Sequence, residues 1–307
     1  MTKNKSNSIS SSKKEMAQAE SDSVIAGDVL QFGKMMKKLL NNKEFSDIRF
    51  IIGPNKKQIY AHRCILAARC AVFKAMFADK PNTGDNNVPF VLSDMSPEIF
   101  TALLEFLYTN CVTLSPKTAI DVLATSLEYG IDDLRDLCVD YLQANISASN
   151  ACDVMQAAVT YNQNDLKENA LAFIEDNTVE VLKSKNFQEI SEDTLVNILR
   201  SSKLTIDEID LCKAVKDWAA ASSTLNGKQL HEVARDAVRQ IRLPLLKADE
   251  LKVLEEENNN DHFLPVDSFS YAWKLHALKQ GEKNNILSTC RRGTVSREHH
   301  KFLLKEN

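Results

Sequence analysis

Residues 45–52 read Phe-Ser-Asp-Ile-Arg-Phe-Ile-Ile, a stretch in which Ile48, Phe50 and Ile52 alternate with Asp47 and Arg49. Alternation with a period of two predicts a β-strand that buries one of its faces. The turn sequence Gly53-Pro54-Asn55 follows, and the residues from Gln58 to Ala61 then provide a second strand. This stretch therefore predicts a hairpin at the front of a folded domain.

The residues after the hairpin combine helical signals with one more strand. Residues 64–77 predict two short helices, and residues 88–92 predict a strand. Ser96 before Pro97 is typical of a helix start, because serine caps the amino end and proline fits the first helical position. The pattern up to about residue 145 predicts a small mixed sheet interleaved with helices. We therefore expect an α+β domain over residues 24–145.

An amphipathic helix is predicted at the start of this domain, over residues 28–40. Its apolar stripe is formed by Val29, Phe32, Met36, Leu39 and Leu40, whereas lysines occupy other faces. The stripe needs a surface to cover it, and either a second copy of the chain or its own domain would serve. Residues 1–23 are rich in Ser, Lys and Asn, so we expect them to be disordered.

The second half of the chain has no strand signal and predicts an all-helical domain over residues 146–250. Thr205 with Glu208 three residues later has the spacing of a capping box at a helix start. Residues 251–307 are expected to form a C-terminal extension. In it, the acidic and Asn-rich stretch from Glu255 to Asp261 predicts a solvated linker, residues 272–277 predict a short helix, and a basic tail ends the chain.

Composition narrows the class of protein. The 307 residues are 44% hydrophobic and 26% charged, which is ordinary for a soluble chain of about two domains. A net charge of -4 argues against a nucleic-acid-binding surface, and the short apolar runs argue against a membrane span. The seven cysteines include no Cys-x-x-Cys pair, which favours buried free thiols over disulfides or zinc. We expect an intracellular protein.

The sequence offers little material for catalysis. We find no glycine-rich phosphate loop, no His-Glu-x-x-His and no nucleophile elbow. Asp47 with His62 has the residue types of an acid/base pair, but a hydrogen-bonded structural pair is the favoured interpretation. His299, His300 and Cys290 have the residue types of metal ligands, but adjacent histidines point apart on a helix or strand. A structural or partner-contacting role is therefore favoured over a metal site. We predict no catalytic, cofactor or metal site, and no enzyme activity.

The chain resembles the BTB/POZ domain over about residues 26–145, followed by a BACK domain over residues 146–250. The resemblance to BTB/POZ rests on these motifs, in chain order: Phe45 to Phe50, Ala61-His62-Arg63, Leu66 to Arg69, Phe73, Met76-Phe77, Leu92-Ser93-Asp94 and Phe106 to Thr109. The resemblance to BACK rests on Phe187 with Glu189 and Ile190, Leu195 to Leu204, Ala214 to Trp218, and Ile241 to Leu246. Together, the two resemblances imply a mostly helical protein that assembles other proteins.

The resemblance also implies partners. A homodimer would pack the first helix against its counterpart, with this predicted interface: Val29, Phe32, Met36, Leu39 and His62. Many proteins of this family serve as substrate adaptors of a cullin-3 ubiquitin ligase, for which the candidate contacts are Ala78, Asp79, Lys80 and Leu134. The loop after Phe77 lacks the hydrophobic-x-Glu element that adaptors often use, and nothing after residue 250 is long or repetitive enough for a propeller.

The remaining expectations concern the substrate and the compartment. An unidentified substrate protein would meet the BACK helices or the basic tail, whose candidate contacts are Arg291, Arg292, Arg297, His299 and His300. The alternative function is recruitment of transcriptional corepressors through BTB association, without direct binding of DNA, because zinc-finger spacings are absent. We expect a cytoplasmic protein with a nuclear fraction and no contact with membranes.

Overall fold

A computed structural model describes residues 27–78, 88–279 and 285–303 of the chain. The segment 1–23, for which we expect disorder, lies outside these residues. Among the helices in the described ranges, none has both the length and the apolar character that crossing a bilayer would require.

The predicted hairpin is present and belongs to a three-stranded sheet. Strands β1 (Ile48–Ile52) and β2 (Lys57–Ala61) pair antiparallel, and β3 (Phe90–Leu92) pairs parallel with β1 on its other side. The turn after β1 depends on Gly53, which has a φ of +69° and lies where a Cβ would be 3.2 Å from the carbonyl oxygen of Met95. A residue with a side chain would be strained at this position.

Helices surround the sheet and complete the first unit. They are α1 (Val29–Lys37), α2 (Arg63–Arg69), α3 (Ala71–Ala78), α4 (Pro97–Thr109), α5 (Ala119–Glu128) and α6 (Asp132–Ala144). Helix α4 begins as the sequence predicts, because the Ser96 hydroxyl accepts a hydrogen bond from the amide of Ile99. It ends at Asn110, which adopts a left-handed conformation with a φ of 58°.

An aromatic cluster forms the centre of the first unit. The ring of Phe50 on β1 is 4.9 Å from that of Phe100 on α4 and 5.9 Å from those of Phe73 and Phe90. All four side chains are buried. Each such pair adds about 0.5–1.5 kcal/mol beyond the area that it buries, so the cluster fixes the sheet against α3 and α4.

The second unit is helical throughout its described residues. Its helices are α7 (Ala151–Thr160), α8 (Asn164–Asp176), α9 (Thr178–Leu182), α10 (Glu192–Leu199), α11 (Glu208–Asn226), α12 (Leu230–Val233), α13 (Ala248–Asp261), α14 (Val266–Leu278) and α15 (His300–Leu303). Single 3-10 turns cover Lys185–Glu189, Val238–Gln240, Leu243–Leu245 and Ile286–Ser288. One continuous hydrophobic cluster, here called the main core, runs from the sheet through this unit, and α6 packs against α8 where the units meet.

The predicted linker at Glu255–Asp261 is wrong, because these residues form the last turns of α13. Two of their polar side chains have partners outside the helix, one in the residues that follow it and one on α11. The Asn258 amide bonds to both backbone groups of Leu264, and Asp261 pairs with Lys216 on α11 at 2.5 Å. An acidic, Asn-rich stretch without an apolar stripe is therefore helical through its tertiary contacts.

The predicted capping box at Thr205 is also wrong. Helix α11 begins after Asp207, and the Thr205 hydroxyl donates instead to the carbonyl oxygen of Glu175 at 2.9 Å. The carboxylate of Glu208 turns inward and is fully buried. Glu208, which the sequence predicts as a helix-capping residue, is therefore part of the interior of the second unit.

The cysteines are all free thiols. Four of them are buried, namely Cys70, Cys138, Cys152 and Cys212. Cys64 and Cys111 are exposed, which differs from the expectation of burial, and Cys290 is partly buried rather than open to solvent.

Candidate interaction surfaces

Helix α1 carries an uncovered apolar face. The exposed fractions are 68% for Val29, 70% for Leu30, 57% for Phe32 and 51% for Met35. Met36 and Leu39 of the predicted stripe are only half-buried, and Leu39 packs against the main core. The exposed face is therefore centred on Phe32 and includes Val29 and Met35, each about 60° from Phe32 around the helix axis, although the predicted stripe omits Met35. Leu30 is about 160° from Phe32 and is exposed on the other flank of the helix.

The opposite side of α1 fixes the helix to α4. Gly33 is buried where an added Cβ would be 3.4 Å from the carbonyl oxygen of Thr109, and Lys37 forms an ion pair with Glu105. Asp28 caps the helix by accepting a hydrogen bond from the amide of Gln31 at 3.0 Å. These contacts hold the helix in place and leave the Phe32 face turned outward.

The structure places His62 inside the first unit rather than on the α1 face. Its predicted place in the dimer interface is therefore corrected. Its side chain is 8% exposed, and its Nδ1 lies 2.8 Å from the hydroxyl of Tyr108. Burial raises the pKa of Tyr108 to about 12, so the hydroxyl keeps its proton at neutral pH. Asp47 is exposed and accepts from the amide of Arg63 at 2.7 Å, so the predicted Asp47–His62 pair does not form.

Three of the four candidate cullin contacts cannot be placed on an open surface. Leu134 is fully buried, because the apolar stripe of α6 faces the main core, and its prediction as a contact is wrong. Asp79 and Lys80 lie outside the described residues. Ala78 is exposed at the carboxyl end of α3 and stays a prediction.

Residues 285–303, here called the C-terminal segment, fold back onto the second unit. The amide of Arg292 donates to the carbonyl oxygen of Ser202, and that of Gly293 donates to Leu204, each at 2.9 Å. The amide of Val295 donates to the Asp207 carboxylate at 2.9 Å. The segment thus runs along the loop that precedes α11 and is held there by its backbone.

Arg291 is the most deeply buried cation of this segment. Its side chain and that of Glu208 are both 0% exposed, and its Nε lies 2.9 Å from the Glu208 carboxylate. Its guanidinium also donates to carbonyl oxygens of Leu199, Ser201 and Gln240. Every side of this guanidinium therefore faces an acceptor, as a buried cation requires.

The other two arginines of the segment occupy acidic positions nearer the surface. Arg297 is 3% exposed and pairs with Asp207 at 2.7 Å and with Glu250 at 2.9 Å. These contacts lower the pKa of the Asp207 carboxyl and raise that of Arg297. Arg292 remains half-exposed and pairs with Asp176 at 2.7 Å.

Two adjacent histidines bond to two consecutive carbonyl groups beneath the segment, and a third histidine packs against them. His299 Nε2 lies 3.1 Å from the oxygen of Pro244, and His300 Nε2 lies 2.9 Å from that of Leu245. The ring of His299 is 4.4 Å from that of His276 and 4.5 Å from that of His300. Burial and the neighbouring imidazoles lower the pKa of His276 and of His299.

Acid should weaken this histidine cluster. Burial and the neighbouring His276 lower the pKa of His299 to about 4, so the folded state holds it neutral. Its contribution to stability is therefore full above the ordinary pKa of about 6.5 and is lost as pH falls from there towards 4. We expect the thermal midpoint to fall by about 2–4 °C between pH 7 and pH 5. Differential scanning fluorimetry measures this change.

The control for this pH effect is a matched pair of substitutions. His299→Gln keeps a donor for Pro244 and removes the titration, so its midpoint should depend less on pH than that of the natural chain. His231 is exposed, and His231→Gln should keep the full dependence. An equal pH dependence in all three proteins would contradict the assignment to His299.

The partner-binding tail is corrected for three of its residues, because Arg291, Arg297 and His300 are buried against the chain's own second unit. Contact of a partner with Arg292 or His299 stays a prediction. Among the described residues, no group of three His, Cys, Asp or Glu side chains is arranged to hold a metal ion.

Comparison with known proteins agrees with this architecture. A family model for the BTB/POZ domain matches residues 36–146, and one described as BTB And C-terminal Kelch (BACK) matches residues 151–256. BTB/POZ domain-containing protein 19 of Bos taurus is 41% identical over 281 residues, which cover 91% of this chain and 96% of that protein. The Homo sapiens protein of the same name gives the same values.

The chain belongs to the BTB/POZ family. More distant relatives are longer and match a smaller share of this chain. BTB/POZ domain-containing protein 6-A of Danio rerio is 28% identical over 219 residues, which are 69% of this chain and 40% of that protein. The predicted BTB/POZ domain followed by an all-helical BACK domain is thus confirmed.

Several residues that hold the C-terminal segment on the BACK domain are missing from the sequence-based prediction. Besides Glu208 and Asp207, they include Arg242, which is 1% exposed. Its guanidinium donates to the oxygen of Thr289 at 2.7 Å and to the Ser202 hydroxyl at 3.0 Å. Burial lowers the pKa of Arg242 to about 10. The sequence does carry one sign of this buried role, because Arg242 is the single charged residue in the apolar run 241–246.

Proposed function

We propose that this BTB/POZ protein is a non-enzymatic scaffold that forms a homodimer through the exposed face of α1 and presents its BACK domains to other proteins. Proteins with these two domains are protein-interaction scaffolds. The observation that carries the proposal is the set of three large apolar side chains on one face of α1, Val29, Phe32 and Met35, each more than half exposed.

The energetics of this face support a partner. Covering a large apolar side chain contributes about 1.5–3 kcal/mol relative to leaving it in water. An isologous contact would place the α1 faces of two copies together, so each residue would contribute twice. Light scattering of the purified chain tests this, because a dimer has twice the chain mass of 34.5 kDa.

The second candidate role is that of a substrate adaptor for a cullin-3 ubiquitin ligase. The pairing of a BTB/POZ with a BACK domain favours it, because proteins with both domains often act in this way. The exposed Ala78 at the end of α3 is the candidate contact within the described residues. The substrate would be a separate protein held by the BACK domain.

A pull-down with the amino-terminal region of cullin-3 tests the adaptor role. We expect retention at micromolar concentration and a loss of about tenfold in affinity for Ala78→Arg, because a long cation replaces a small contact residue. Val253→Arg, at an exposed position of α13, provides the matched control. The absence of retention for the natural chain would exclude the adaptor role.

We also propose that the protein is cytoplasmic with a nuclear fraction. Recruitment of corepressors through BTB association is the alternative function that such a fraction would serve. Complete exclusion of a tagged chain from the nucleus would contradict that alternative.

A further inference from the structure

We propose that residues 291–297 are a peptide ligand bound in cis, and that the site they fill recognises an arginine-bearing segment of a partner protein. The site, here called the arginine cleft, is formed by Ser202, Leu204, Asp207, Glu208 and Glu250. This inference rests on the scaffold function proposed above, for which it names the chemistry of the protein that the BACK domain would bind.

The cleft recognises the backbone of a turn. Carbonyl oxygens of Ser202 and Leu204 accept the amides of two successive residues, Arg292 and Gly293, each at 2.9 Å, and the amide of Thr294 closes the turn on the carbonyl oxygen of Arg291 at 3.0 Å. The Asp207 carboxylate accepts a further amide, that of Val295. In peptide recognition, main-chain hydrogen bonds of this kind give affinity, and pockets for side chains give specificity.

The cleft also selects side chains at fixed spacing. Glu208 receives the first arginine of the segment, and Asp207 with Glu250 receives the arginine six residues later. Gly293 lies between them, where an added Cβ would be 2.0 Å from the amide nitrogen of Ile206. The site therefore accepts the pattern Arg-Arg-Gly-x-x-x-Arg and excludes a larger residue at the third position.

The segment is attached to the domain without sharing its main core. None of the described residues 285–303 belongs to that cluster. Leu303 instead packs in a separate small cluster with Leu245 and Leu275, against which Tyr271 and Cys290 lie. Buried ion pairs contribute little net stability, because desolvation offsets their attraction, but they discriminate strongly between sequences. The contacts therefore resemble those of a bound ligand more than those of a core element.

Charge determines what would replace the segment. Without it, the carboxylates of Glu208, Asp207 and Glu250 would lose their arginine partners, and Glu208 would keep the bond from the backbone amide of Arg242. A segment that carries arginines at the same spacing restores this balance. The cis copy competes with it at an effective concentration of about millimolar, so the resting chain is self-inhibited.

The test uses a full-length Gly293→Val chain, because the added side chain prevents its own segment from docking. The probe is a labelled synthetic peptide with the natural sequence of residues 288–303, and fluorescence anisotropy measures its binding. We expect Gly293→Val to bind the probe at least tenfold more tightly than the natural chain, in which the segment already fills the cleft. Circular dichroism verifies that the variant is folded.

A second preparation avoids any folding defect of the variant. A protease site inserted between Lys279 and Asn285 allows the natural chain to fold before it is cut, after which the probe should replace the released segment. A probe with Arg291→Ala is the matched control and should bind at least tenfold more weakly. Equal binding of the two probes, or no gain over the uncut natural chain in either preparation, would overturn the proposal.

The partner is tested with a foreign protein. An unrelated carrier fused to Arg-Arg-Gly-Thr-Val-Ser-Arg should be retained by the opened chain and released by free probe, whereas the same carrier fused to Ala-Ala-Gly-Thr-Val-Ser-Ala should not be retained. Retention of both carriers, or of neither, would overturn the recognition of partner segments. The light-scattering mass of the same samples decides separately whether the scaffold forms, so failure of one proposal is distinguishable from failure of the other.

Discussion

Phe32→Glu is expected to give a folded monomer in place of a dimer, which halves the mass measured by light scattering from twice the chain mass of 34.5 kDa. Phe32 lies at the centre of the exposed α1 face, with Val29 and Met35 one turn away on either side. A carboxylate at this position would be buried between two copies without a cation, which costs several kcal/mol per copy. Dimers held by an apolar helix face do not survive such a cost at micromolar concentration.

The substitution should leave the fold intact. Phe32 is 57% exposed, and its helix is fixed to α4 through Gly33 and Lys37 on the other side. We therefore expect the free energy of unfolding of the isolated chain to change by no more than about 0.5 kcal/mol, as is usual at surface positions. Leu225→Glu, at a position of α11 that is 79% exposed, is the matched control and should remain dimeric. An unchanged mass for folded Phe32→Glu would place the interface elsewhere.

Glu208→Ala is expected to lower the free energy of unfolding by about 3–5 kcal/mol, the loss typical of a broken buried ion pair. Glu208 is fully buried, and its carboxylate accepts from the amide of Arg242 at 2.6 Å and from Arg291 at 2.9 Å. Alanine would leave the buried guanidinium of Arg291 without its anion and the backbone amide of Arg242 without its acceptor. Urea denaturation measures the loss.

Part of this loss should appear as release of the C-terminal segment, because an undocked Arg291 regains contact with water. Trypsin, which cuts after arginine, should then cleave at Arg291 in the variant much faster than in the natural chain. Asp210→Ala removes an exposed carboxylate two residues further along α11 and should change the free energy of unfolding by no more than about 0.5 kcal/mol. A loss below about 1 kcal/mol for Glu208→Ala would contradict the role assigned to this ion pair.

The parts of the fold that the sequence predicts well depend on local signals. The alternation at Ile48, Phe50 and Ile52 predicts β1, and the Ser96-Pro97 pair predicts the start of α4, because neighbouring residues alone determine these features. The apolar face of α1 follows from its periodicity in the same way, although Met35 lies outside the predicted stripe.

The parts that the sequence does not predict depend on residues far apart in the chain. Arg291 resembles a cation of a solvated tail, and only the approach of Glu208, 83 positions away, makes it part of the interior. Helix α13 continues through residues 255–261, where Asp261 pairs with Lys216 of the distant helix α11. Leu134 fails for a different reason. The apolar stripe of α6 is visible in the sequence, but the stripe alone does not reveal that it faces the main core rather than a partner protein.

The unbroken main core that joins the sheet of the BTB/POZ domain to the BACK helices has a mechanical consequence. Because α6 packs against α8, we expect no hinge motion between the two domains of a subunit. In the proposed dimer the two arginine clefts would then lie at a fixed distance from each other. A partner protein with two arginine-bearing segments would bind both clefts at once only if the spacing of its segments matched that distance.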